Sequence, residues 1–226
     1  DKWSFRIKVM PGFSFNGLKS FSIQSPHTRS FLEEYVLHKL FEQEDVLTTR
    51  YDFSPIVLNG KNLGIYAIEE HFDKQLLEAK RRREGPILKL DEGGHWEQIL
   101  YNLKNDKKRH IPSYEAAAVL PFKKGRTISS EALYHQFLIA QNLMFQYKNN
   151  ADNPQELFDV ELMAKYYAIL DVGRVHHSIH WHNHRFYYNP ITSRLEPIAF
   201  DCNSEPIPGI VRLPIAGFRQ VHGAKN

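Results

Sequence analysis

The chain has 226 residues, 42% of them hydrophobic and 13% aromatic, which argues for one folded domain or two closely packed lobes and against disorder. With 29 basic and 26 acidic side chains the net charge is only +3, so nothing in it points to nucleic acid. No apolar run approaches the roughly 20 residues that cross a bilayer, and the single cysteine excludes an internal disulfide and leaves the redox compartment open.

The chain opens directly in strand-like sequence, so it reads as a piece of a longer protein. Trp3, Phe5, Ile7 and Val9 share one face of a predicted strand, and Lys2, Ser4, Arg6 and Lys8 share the other. A face with three cations is either a solvated edge or a phosphate-facing row. The loop PGFSFNG is too irregular for a Walker or kinase glycine loop, and LKSFSIQ is a second short strand. Ser25-Pro26 predicts the start of a helix, with Ser25 as N-cap, running to about residue 43 with Glu33 and Glu34 near its beginning.

Residues 51–72 hold the clearest local signal, two apolar strands flanking Asn59-Gly60, a dipeptide suited to a tight hairpin turn. Glu69-Glu70 then leads into a predicted helix over 71–83 that Gly85-Pro86 ends, with Arg81 to Arg83 read as its solvated end. PILKLDEGG is a further strand and loop. Helix dominates 95–150, in one segment near Trp96 to Leu103 and a longer one from Ser129 to Tyr147, with the lysine-rich NDKKRH read as a loop. Residues 158–173 predict an apolar helix whose Asp171 is an internal hydrogen-bonder or a helix-end residue rather than a catalyst, and the tail is irregular.

Candidate chemistry gathers between His176 and Asp201. Five of the twelve histidines fall within nine residues, followed by the strand-like FYYNP, a turn and an apolar run that ends on Asp201. If the turn from Pro190 to Arg194 closes a hairpin, Asn183 and Asp201 can face one pocket and hold a metal; otherwise Asp201 is a turn or cap residue. His180, His182 and His184 alternate and would share a face on a strand, whereas His176 and His180 have the spacing of helical metal ligands. A histidine-rich transition-metal site and plainly hydrogen-bonded histidines both remain open.

Taken together, KWSFRIKV, GLKSFSIQSP with its helix, LNGKNLGIYAIEEHFDK, GPILKLDE and HNHRFYYNP…LEPIAFD resemble the CotH kinase family, the kinase-like domain named for spore-coat protein H. The pattern spans nearly the whole chain, apart from 95–150. The resemblance implies an α+β, atypical protein-kinase-like fold with a strand-rich N-terminal lobe, a mainly helical C-terminal lobe and a boundary near 70–95. It implies ATP and Mg2+ or Mn2+ as cofactors, transfer of the γ-phosphate to protein Ser or Thr, and an extracytoplasmic, cell-surface or spore-coat setting. Asp201 then matches the metal-binding Asp and Asn183 the catalytic-loop Asn. Lys2, Arg6 and Lys8 match the phosphate-facing strand, Glu34 the helix glutamate, and Glu70 the glutamate after the hairpin. One departure stands out. Kinases carry the catalytic Asp five residues before that Asn, and here Ser178 stands there, so His177, His180 or His182 would have to accept the proton. The alternative is a non-catalytic kinase-fold module of a surface or envelope protein.

Overall fold

A computed structural model describes residues 2–105, 113–149, 153–175, 177–203, 210–213 and 217–220. Its first half holds β1 (Phe5–Lys8), β2 (Ser20–Gln24), a 3-10 turn (Pro26–Arg29), α1 (Glu33–Gln43), β3 (Leu47–Thr48), β4 (Tyr51–Leu58) and β5 (Lys61–Glu70). There follow α2 (Lys74–Ala79), β6 (Ile87–Leu90), α3 (Gly93–Asn105), α4 (Ser113–Ala116), β7 (Val119–Pro121), α5 (Lys124–Ser129) and α6 (Glu131–Lys148). The last described elements are α7 (Pro154–Leu157), α8 (Val160–Gly173), a 3-10 turn (His177–Ile179), β8 (Arg185–Asn189), β9 (Arg194–Ala199), β10 (Ile210–Leu213) and β11 (Gly217–Gln220). The fold is α+β, with helices set around two main sheets.

The first sheet is antiparallel in the order β1-β2-β5-β4. Its register pairs Phe5 with Ile23 and Ile7 with Phe21, so these residues share the apolar face that packs with Leu18, Tyr66 and Ile68. The same register puts Arg6 opposite Ser22 and Lys8 opposite Ser20 on the polar face. Asn59 and Gly60 close the β4–β5 hairpin with φ of 50° and 77°, the left-handed pair a tight hairpin turn requires.

Ser25-Pro26 opens only the 3-10 turn, because Ser30 and Phe31 both take left-handed φ (50° and 59°) and break the predicted helix. α1 therefore starts at Glu33. Glu34, Leu37, His38 and Phe41 follow the i, i+3, i+4, i+7 stripe and form its buried face. Leu37 and Phe41 pack there on Leu162, Tyr166 and Leu170 of α8.

The second sheet has the order β3-β9-β8-β6-β7, antiparallel except for β3 beside β9. One face packs on Phe137, Ala140 and Met144 of α6, so the helices of the second half rest on a five-stranded sheet to which β3 and β6 of the first half also contribute. Gly85 lets the chain enter β6 against β8, since a Cβ there would stand 2.4 Å from the Tyr188 carbonyl oxygen.

Several local expectations change. The helix expected over 71–83 is the short α2, and Arg82 is no solvated helix end: its Nε donates to Glu196 Oε2 at 2.8 Å and its Nη2 to Asp45 Oδ2 at 3.0 Å. Histidines 180, 182 and 184 share no strand face, because β8 begins only at Arg185 and residues 181–183 form a turn. The tail contains an antiparallel pair, β10 with β11. His176 and most of the NDKKRH loop lie outside the described residues.

Candidate functional site

The chain leaves β9 through Phe200 and Asp201, and Asp201 takes a left-handed φ of 57° that ends the extended run. Its Oδ1 accepts from Arg29 Nη1 in the 3-10 turn before α1, and its Oδ2 lies 3.1 Å from His177 Nε2. Arg29 Nε in turn stands 3.2 Å from Oε2 of Glu34, a fully buried carboxylate. Glu34 Oε1 also meets His38 Nε2 at 3.2 Å and the Cys202 N–H at 3.3 Å. Arg29 thus bridges the first turn of α1 to the end of β9, and it is Arg29, not a cation of β1, that pairs with Glu34.

Asn183 reaches the same place from the turn before β8. Its Nδ2 donates to the His177 carbonyl at 3.1 Å, so Asn183 and Asp201 both contact His177, one at the backbone and one at the ring. Ser178 is fully buried, and its hydroxyl donates to the Asp201 carbonyl at 2.9 Å and to Cys202 Sγ at 3.3 Å. It anchors the backbone under Asp201.

Residues of both sheets line a cleft of about 450 Å3; Phe200, which precedes Asp201 in the chain, belongs to its lining, whereas Asp201 and Asn183 are not among the lining residues. Four cationic side chains enter it: Arg6 of β1, Lys89 of β6, Lys123 before α5, and Arg185 of β8. Phe72, Phe122 and Phe200 form an aromatic wall, with ring centroids 4.6 and 5.1 Å from Phe72. The Arg185 guanidinium lies 5.0 to 5.9 Å from all three centroids. Its Nη1 donates to the carbonyls of His182 (2.7 Å) and His184 (3.0 Å), while its Nε is buried without a hydrogen-bond partner. Burial lowers its pKa to about 10, so it remains a cation at neutral pH. Three carboxylates also line the cleft: Glu69, Glu70 and Glu92. Glu70 is held by Arg50, whose Nε donates to Oε2 at 2.9 Å and whose Nη2 reaches Oε1.

Of the expected phosphate-facing cations Lys2, Arg6 and Lys8, only Arg6 is among the residues lining this cleft. Lys2 Nζ donates to the Ile65 carbonyl at 2.7 Å and sits 4.9 Å over the Tyr66 ring; Lys8 is exposed near the end of β1. His182 stacks on His95 with centroids 4.5 Å apart, and burial, then the neighbouring imidazoles, lowers its pKa to about 4. The His180 ring lies 5.6 Å from those of His177 and His182. Even so, among the described residues no group of three His, Cys, Asp or Glu side chains is placed to hold a metal ion. The sequence reading missed Lys89, Lys123, Arg185 and the three phenylalanines; its one available signal was Arg185, a cation opening the apolar run RFYY.

A family description, CotH kinase protein, matches residues 1–205. The chain belongs to the CotH kinase family. No curated protein matches it. The matched span includes both main sheets, the cleft, Asn183 and Asp201 of this CotH-family chain.

Proposed function

We propose that this CotH-family chain is a kinase-type phosphotransferase, with the first sheet and α1 as the N-terminal lobe, a boundary near 70–95, and ATP bound in the cleft between the sheets. On this reading the acceptor is a protein Ser or Thr hydroxyl. The observation that carries the reading is the convergence of Arg6, Lys89, Lys123 and Arg185 on an aromatic-walled cleft whose lining includes Phe200, the residue before Asp201. A buried guanidinium with an unspent Nε suits an anion, and phenylalanine rings suit a flat base. Asp201 and Asn183 offer the hard oxygen donors that Mg2+ or Mn2+ prefers. When bound, such a cation neutralises charge on the phosphates. It would compete with Arg29 and His177 for the Asp201 oxygens, and Glu34 would keep Arg29 close by.

A second reading, binding without transfer, is favoured by the buried Ser178 hydroxyl, which leaves no proton acceptor at the position five before Asn183. If transfer does occur, His177 is the imidazole that touches Asp201, whereas the lowered pKa of His182 makes it a weak base.

Calorimetric titration with ATP and Mg2+ tests the cleft. Lys89→Ala should weaken ATP with or without metal, and Asp201→Asn should remove most of the gain that metal brings, each by about tenfold or more. Wild-type affinity retained in both variants would place the nucleotide elsewhere.

A further inference from the structure

Resting on the reading that this cleft holds a polyphosphate, we infer that Glu69 carries a proton into the complex, so that ligand and proton bind together. Glu69 lies at the end of β5 and lines the cleft, with 7% of its surface exposed. Its Oε2 accepts from Gln24 Nε2 of β2 at 3.3 Å, and its Oε1 is buried with no hydrogen-bond partner. An ionised carboxylate left that way is costly; a protonated one is far less so, and it gains an O–H donor.

The charges around Glu69 come from every element packed on it. Glu34 of α1 repels the carboxylate, while Arg29 of the 3-10 turn and Arg185 of β8 attract it. Tyr51 stands opposite on β4, and Glu70 and His71 follow on its own chain segment. Arg6, Lys89, Lys123 and Glu92 face the shared cleft. Burial outweighs the cations and, with Glu34, raises the Glu69 pKa to about 7. Phosphates entering the cleft add negative charge and raise it further. Above about pH 7 the free protein must therefore take up a proton as the ligand binds, and affinity declines as pH rises.

The probe is ATP without metal, titrated into the whole chain at about pH 6, 7 and 8 in buffers of different ionisation heat. Wild type and Glu69→Gln are compared, the variant being fixed in the neutral form at nearly unchanged shape. Titration of the ATP phosphates and of His71 is common to both proteins and cancels. Wild-type affinity should fall about tenfold more than that of Glu69→Gln from the lowest to the highest pH. Only the wild type should take up the extra proton, close to one per ATP, at the highest pH. Parallel pH profiles overturn the inference and leave the cleft reading standing; no ATP binding by either protein at any pH overturns both. If Glu69→Gln does not fold, infrared difference spectra of the wild type decide. A protonated-carboxyl band that grows when ATP is added above about pH 7 supports the inference, and its absence overturns it.

Discussion

Arg29 and Ser178 flank Asp201 and do opposite work there. Arg29 supplies the charge that balances two carboxylates, one of them fully buried, while Ser178 supplies an uncharged tether to the backbone. A kinase-like reading of the sequence suggests restoring a carboxylate at 178 to raise transfer. The packing predicts otherwise, because Ser178→Asp would bury an unpaired charge against the Asp201 carbonyl and Cys202 Sγ. The expected loss is several kcal/mol, or about 2–4 °C of Tm for each kcal/mol in a chain of this size. A thermal melt of Ser178→Asp that overlays the wild type would contradict this account of the site. Asp201 was legible in the sequence because an acid closing an apolar strand is unusual. Arg29 was not, since its partner lies 172 residues further on and no local pattern links them.

The turn that joins α8 to β8 concentrates neutral buried imidazoles. Burial, first of all, lowers the pKa of both His182 and His184 to about 4. In the unfolded chain they titrate near about 6.5, so below that pH the unfolded state takes up protons that the folded state refuses, and stability falls until about pH 4. Glu69 acts in the opposite sense: its raised pKa disfavours the fold above about 7, a penalty relieved as the pH drops toward the normal carboxylate range. Two imidazoles outweigh one carboxyl, since displacing a pKa by one pH unit corresponds to about 1.4 kcal/mol for each group. Thermal melts should therefore show a lower Tm at about pH 5 than at about pH 7. An unchanged or higher Tm in acid would contradict the buried, neutral state of these rings. At this scale the sequence was uneven as a guide. Asn59-Gly60 announced its hairpin through turn chemistry, but nothing local signalled that Ser30 and Phe31 would break the helix expected from Ser25. Histidine alternation suggested a strand where the chain makes a turn.

Across the whole molecule, two sheets meet at a cleft whose cations sit at 6, 89, 123 and 185 and whose aromatic wall sits at 72, 122 and 200. Periodicity acts over a few residues, so it could indicate several of the strands but not which side chains would converge. The second sheet hides its order for the same reason: β3, β6, β7, β8 and β9 come from distant parts of the chain. The family was legible because the stretches that resemble it are spread along residues 1–205, the span that the family description matches. The most direct test of the central claim is a crystal structure of the protein with Mg2+ and a non-hydrolysable ATP analogue. The account predicts a base against Phe72, Phe122 or Phe200, phosphates at Arg185 and Lys89, and the metal at Asp201 with Arg29 displaced from it. Analogue bound outside this cleft, or a cleft empty at saturating analogue with the Arg29–Asp201 pair intact, would contradict it.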